Sequence, residues 1–250
     1  MKWYNLAMKP LVVANWKMNP SGWREAKKLL EATKKAAANV SLVVAPPALY
    51  LREFAKEKRG RIAFAAQDAH FEASGAHTGK ISMAQAKDAG ASYVLVGHSE
   101  VRARGETNED TRAKVSAALA LKMKPILCIG ETTRTSSGNH FNFVSDQLKA
   151  GFAEVPATKI SEVIVAYEPV WAIGGENTMS PRDMHEMAIF IRKTVVDMHG
   201  QKGISVRTLY GGSANEENSK VMLREGDVDG LLVGHVSTDA TRFAALLRTM

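Results

Sequence analysis

Cysteine is nearly missing from this chain: Cys128 is the only one among 250 residues. An intrachain disulfide is therefore excluded, and with it the bridged framework of a small secreted protein, so a reducing cytoplasm is the expected compartment. Long apolar runs are missing too. None approaches the roughly 20 residues that cross a bilayer. The opening stretch MKWYNLAMKPLVVANWKMN offers no apolar segment of signal-peptide length before Asn15 and Lys17, so the chain is expected to be neither exported nor embedded. Aromatics make up 7% of the residues, and no Lys/Arg block interleaves with them. That bears on the charge balance, in which 33 Lys plus Arg exceed 26 Asp plus Glu to give a net +7. Such an excess suits nucleic acid or an anionic small molecule. Because the basic residues are spread along helix-like stretches such as Trp23-Arg24-Glu25-Ala26-Lys27-Lys28, no nucleic-acid platform forms and a small anion fits better.

What is present is material for a core. With 45% hydrophobic and 24% charged residues, disorder and coiled coil are excluded. The length allows two ordinary domains or one α/β barrel. Eight short apolar, β-branched runs decide between them: Leu11 to Ala14, Leu42 to Ala45, Ile62 to Ala66, Tyr93 to Val96, Ile126 to Ile129, Val163 to Tyr167, Val206 to Tyr210 and Leu231 to Val233. They are too continuous for half-solvated antiparallel strands and read as strands of a parallel sheet buried on both faces. Their spacing of about 31 residues is one strand-helix-strand step. Between them lie helix-start signals: Ser82 with Gln85, Thr107 with Asp110, and Ser180-Pro181-Arg182-Asp183, each an N-cap followed by a residue that can reach back. Eight strands alternating with about eight helices, without a linker or composition shift, predict one closed (β/α)8 barrel over residues 1–250. An open doubly wound sheet is the alternative.

In such a barrel the residues that follow each strand sit at the mouth where chemistry occurs. Those positions hold Asn15 and Lys17 after the first strand, His98 after the fourth, Glu168 after the sixth, Gly211-Gly212-Ser213 after the seventh, and Gly234 with His235 after the eighth. Taken singly, each has a bland reading. A glutamate at a strand end is commonly an ion-pair partner, a lysine is commonly solvated, a histidine can be a satisfied strand cap, and glycines permit tight turns.

Five motifs change the balance: Asn-Trp-Lys-Met-Asn at 15 to 19, Gly-His-Ser-Glu at 97 to 100, Cys-Ile-Gly-Glu at 128 to 131, Tyr-Glu-Pro-Val-Trp-Ala-Ile-Gly at 167 to 174 and Tyr-Gly-Gly-Ser at 210 to 213. In this order and register the chain resembles the triosephosphate isomerase family over essentially its whole length. The resemblance implies reversible interconversion of glyceraldehyde 3-phosphate and dihydroxyacetone phosphate by proton transfer through an enediolate, with no metal and no organic cofactor. It implies Glu168 as the base, His98 as the electrophile and Lys17 as the cation that pairs with substrate charge. Asn15, Gly174, Ser213, Gly234 and His235 are implied as further substrate contacts, aided by a short helix beginning near Ser237, with Ser99 and Glu100 in support. Residues 169 to 174 resemble a closing lid. Cys128 reads as a buried structural thiol, since an enediolate route has no covalent intermediate. The full-length stretch Gln67 to Lys80 resembles the protruding loop of family homodimers.

Four departures stand against this pattern. Lys80 and Val101 replace an acid-arginine pair usual in the family. The lid tip Gly175-Glu176-Asn177-Thr178-Met179, where Thr-Gly-Lys-Thr-Ala is usual, lacks the lysine and adds the Glu176 carboxylate, Arg104 occupies a position usually aromatic, and His235 replaces a glycine of the phosphate turn. They keep two other expectations open: a phosphate-binding barrel of impaired catalysis, and an isomerase of another small phosphosugar.

Overall fold

The computed structural model describes residues 9–57, 62–134, 137–173 and 178–250. The eight apolar runs form eight parallel strands: β1 (Leu11–Asn15), β2 (Ser41–Ala45), β3 (Ile62–Ala66), β4 (Tyr93–Val96), β5 (Lys124–Ile129), β6 (Ile164–Tyr167), β7 (Arg207–Tyr210) and β8 (Gly230–Val233). They pair in chain order and close, with Leu11 of β1 opposite Ser41 on one side and Gly230 on the other. The closed parallel barrel is as expected from the sequence, and the open sheet is excluded.

Strand period two divides the core in two. Leu11, Val13, Val43, Leu95, Ile126, Ile164, Leu209 and Leu232 pack together inside the barrel. Their neighbours Val12, Val44, Val94, Leu127, Val165 and Leu231 face the helices. Both sets are buried, which is why the sequence shows continuous apolar runs rather than alternation.

The helices cover the outside. Among the described residues they are α1 (Trp23–Ala36), α2 (Ala48–Lys56), α3 (Met83–Asp88), α4 (Ser99–Arg102), α5 (Asn108–Ala120), α6 (Asn139–Phe152), α7 (Pro181–His199), α8 (Ser219–Glu225) and α9 (Ala240–Arg248). α1 buries Ala26, Leu29, Leu30 and Thr33, the i, i+3, i+4, i+7 stripe of an amphipathic helix. Each leucine so covered contributes about 1.5–3 kcal/mol. The three start signals hold. Ser82 with Gln85 and Thr107 with Asp110 form reciprocal capping boxes, and Ser180 caps α7 ahead of Pro181 at its first turn.

Most of the strands differ from the sequence reading by one residue at one end, and three differences are larger. β5 starts at Lys124 and includes Pro125, which is tolerated near a strand start, where the missing N–H costs least. α4 is one more helix than the eight expected. The short helix near Ser237 is a 3-10 turn, His235–Thr238, that begins two residues earlier behind Gly234. The Ser237 hydroxyl donates back to the Gly234 carbonyl at 2.7 Å, and the cap of the following α9 is Asp239.

Candidate active site

Continuing the inward-facing positions of the strands by one step of two gives Asn15 after Val13, Gln67 after Ala65, Gly97 after Leu95, Gly130 after Cys128, Glu168 after Ala166, Gly211 after Leu209 and Gly234 after Leu232. Four of these seven are glycine. A layer that would otherwise be filled by side chains is thus left thin at the mouth, with Asn15, Gln67 and Glu168 as its polar members. Above it opens a cavity of about 530 Å³ lined by Asn15, Lys17, His98, Ser99, Glu100, Glu168, Ser213, Gly234 and His235. That volume suits a small metabolite.

Glu168 is 2% exposed, and both carboxylate oxygens are engaged. Oε2 accepts from the Ser99 backbone N–H at 2.9 Å, and Oε1 lies 3.2 Å from His98 Nε2. Gly211 makes room for this side chain: a Cβ there would stand 2.9 Å from Glu168 Cγ. The strand ladder continues through the same residue, the Glu168 N–H donating to the Ile129 carbonyl at 2.7 Å. The Glu168 side chain is therefore fixed from both its backbone and its head group.

His98 caps α4, and its Nδ1 accepts the Glu100 backbone N–H at 3.2 Å. An acceptor at Nδ1 puts the proton of a neutral imidazole on Nε2, the nitrogen that faces Glu168 and the cavity. The Asn15 side-chain amide lies 3.3 Å from that nitrogen.

Lys17 has φ 51°, a left-handed backbone unusual for a residue with a Cβ. Such a conformation costs on the order of 1–3 kcal/mol and persists only where neighbours hold it. Here the Lys17 N–H donates to Asn15 Oδ1 at 3.0 Å, and Gln67 Nε2 donates to the Lys17 carbonyl at 2.7 Å. The ammonium reaches Glu100 Oε1 at 2.6 Å. Partial burial opposes ionisation of Glu100, yet the Lys17 hydrogen bond and charge, with His98 behind them, hold its carboxyl below the ordinary value. Glu100 thus touches both cation and imidazole.

The segment after Glu168 is tied to β5 by Glu131, itself 2% exposed. Trp171 Nε1 donates to Glu131 Oε1 at 2.8 Å and the Tyr167 hydroxyl donates to the same carboxylate at 2.8 Å. Burial and the Glu131 charge raise the Tyr167 phenol well above its ordinary range, so it stays a donor. Ser213 Oγ donates to the Ala172 carbonyl at 2.8 Å, joining this segment to the loop after β7. Cys128 lies under the site, where burial and the nearby Glu168 charge push its thiol well up, against a nucleophilic role.

Ser213, Gly234 and His235 line the same cavity, and a Cβ at Gly234 would stand 3.2 Å from Lys17 Cε. The described non-glycine residues with left-handed backbone are Lys17, Lys122 and Asp227, and His235 is not among them. Its position is compatible with a Cβ. Beside it Arg242 pairs with Glu216 through Nε at 2.9 Å and Nη2 at 3.2 Å.

A family model described as triosephosphate isomerase matches residues 10–250. The triosephosphate isomerase of Endomicrobium trichonymphae is 41% identical over 246 residues, covering 96% of this chain and 98% of that one. Those of Lactococcus lactis subsp. lactis and Clostridium acetobutylicum are 38% and 41% identical over 249 and 244 residues, at 97% and 95% of this chain and 98% of each relative. The chain belongs to the triosephosphate isomerase family.

In this triosephosphate isomerase family member the cavity unites nine of the ten site residues read from sequence. The tenth, Gly174, lies with Glu176 outside the described residues. Sequence reading missed Asn215 and Arg242, which also line the cavity, and gave Glu131 no role. Barrel order alone could have pointed to Asn215, which follows β7 in the loop that also carries Ser213. For Glu131 the signal was its place in the Cys-Ile-Gly-Glu motif at the end of β5.

Proposed function

We propose that Glu168, His98 and Lys17 carry the triose phosphate isomerisation of this family member. Glu168 takes the proton from one substrate carbon and returns it to the next. His98, with its proton on Nε2, polarises the carbonyl, and Lys17 offsets the charge of the enediolate and phosphate. The single observation that carries this reading is the Glu168 Oε1 to His98 Nε2 distance of 3.2 Å inside a cavity that Lys17 also lines. Both groups lie within hydrogen-bond reach of one small molecule placed there. Ser213, Gly234, His235 and, beyond the described residues, Gly174 are assigned to the phosphate. The reaction draws on no metal and no organic cofactor.

The experiment is a coupled assay with glyceraldehyde 3-phosphate and with dihydroxyacetone phosphate. Turnover of both supports the assignment. Turnover of neither, with a folded protein that binds phosphate, supports an impaired barrel instead, which the negative φ at His235 disfavours.

We read the whole chain as one barrel domain acting in the cytoplasm as a homodimer. Residues 72–76 and 78–80 are exposed, while the Ile81 carbonyl, accepting the His70 N–H at 2.7 Å, ties the loop 67–80 at its base. A loop held at its base with an open tip suits insertion into a second copy. No described helix is long and apolar enough to cross a membrane. Sedimentation at micromolar concentration tests the assembly: a monomer with retained activity contradicts it.

A further inference from the structure

The loop 67–80 carries three side chains that the isomerase chemistry does not use: His70, Glu72 and His77. Glu72 Oε2 lies 3.1 Å from His77 Nε2, and Glu72 Oε1 lies 3.8 Å from His70 Nε2. The two imidazole centroids are 4.2 Å apart at 56°. One donor atom from each of the three lies within 4.8 Å of the others.

Local structure brings them together. His70 is pinned at the loop base, its N–H donating to Ile81 and its carbonyl accepting from Met83 at 2.9 Å. His77 returns from the tip because Gly75 has no side chain: a Cβ there would stand 2.9 Å from His77 Cδ2. A His77–Glu72 hydrogen bond accounts for one contact, and it holds the Glu72 carboxyl below its ordinary value. It does not account for His70, whose Nε2 is shielded from solvent and has no hydrogen-bond partner among the described residues. A buried imidazole nitrogen without a partner is costly unless something takes its lone pair or proton.

Two imidazoles and a carboxylate are the donor set of a borderline divalent cation of the zinc class, and three such ligands plus a water complete a tetrahedron. Bonds of about 2.0–2.1 Å put tetrahedral donors roughly 3.3–3.4 Å apart. The 3.1 Å and 3.8 Å separations bracket that value.

We propose that this loop binds one zinc-class divalent ion through His70 Nε2, the Glu72 carboxylate and His77 Nε2, with water as the fourth ligand. The ion links the base of the loop to its tip and takes no part in the isomerisation. All three ligands come from one chain, so the site rests neither on the isomerase assignment nor on the homodimer.

The test uses untagged, full-length protein stripped with a chelator, then titrated with Zn²⁺ by calorimetry and with Co²⁺ by visible absorption, beside Glu72→Gln and His77→Ala. In the single chain the Glu72 and His77 side chains are 50% and 35% exposed, and circular dichroism checks each fold. The expected result is one ion per chain, a four-coordinate Co²⁺ spectrum, and affinity at least about tenfold weaker in each variant. If one substitution unfolds the chain, the other decides alone. The proposal is overturned by no saturable Zn²⁺ binding below about 1 mM, or by wild-type stoichiometry and affinity in both variants, which would put the ion elsewhere.

Discussion

Glu168 and His98 touch: carboxylate Oε1 stands 3.2 Å from imidazole Nε2, and the other oxygen takes the Ser99 N–H. In the proposed mechanism, a substrate carbonyl binding Nε2 would displace the carboxylate from that nitrogen and leave Glu168 beside the carbon next to the carbonyl. The proposed base and electrophile would thus exchange a contact with each other for contacts with substrate.

Glu168→Gln follows from this exchange. The amide keeps the shape and cannot take a carbon-bound proton. We predict a fall in kcat on the order of 10²–10⁴, with KM changed by less than about tenfold, because the lost interaction belongs to the transition state. Steady-state kinetics in both directions check it, and wild-type turnover removes Glu168 from the role of base.

Glu100→Gln separates positioning from stability. The Lys17–Glu100 pair is partly exposed on both sides, at 32% and 51% of the side chains, so its loss changes unfolding free energy by no more than about 1 kcal/mol. Lys17, no longer held at 2.6 Å, is less well placed, and kcat falls about tenfold, equivalent to about 1.4 kcal/mol. Equal losses in stability and rate would argue for a merely structural Glu100.

His235→Gly tests the phosphate end. Since His235 avoids the left-handed region, restoring glycine relieves no strain there. The expected change in KM is under about tenfold with kcat nearly constant. A much larger fall in KM would reveal a phosphate site damaged by the histidine.

Lys114→Met tests a buried ion pair at the root of the loop. Lys114 is 5% exposed and donates to Asp68 at 2.5 Å and to Glu106. Burial opposes its charge, but those two hydrogen bonds win and raise its pKa above the ordinary lysine value. Removing the cation leaves Glu106 buried and unpaired, at a cost toward the lower end of about 3–5 kcal/mol. A raised folded pKa means this stabilisation is complete below the unfolded value of about 10.4 and is lost as pH rises through the folded one. Urea melts of both proteins should therefore differ by a constant amount from neutrality to about pH 10 and converge above it. A gap that closes between pH 7 and 9 contradicts the assignment.

Most of the barrel was legible because both faces of each strand are apolar, so Val12 and Val13 announce a buried strand regardless of which face each takes. Pro125 hid the start of β5, since proline argues against a strand except near its beginning. The short helix implied near Ser237 begins at His235, a shift of two residues that the resemblance did not resolve. At the site, residues just past strand ends were readable from order alone, as with Asn15, His98 and Glu168. Arg242 was not, because it belongs to α9 and not to a strand end. The unpartnered nitrogen of His70 is likewise a property of loop geometry, which no local pattern in Gln67 to Lys80 encodes.

The central claim, proton transfer between adjacent carbons by Glu168, is tested most directly by following dihydroxyacetone phosphate in D₂O by NMR with wild type and Glu168→Gln. The account predicts that wild type interconverts the two triose phosphates and leaves deuterium on carbon at the exchanging position, while the variant does both far more slowly. Conversion by wild type with no carbon-bound deuterium and no loss in the variant would contradict it.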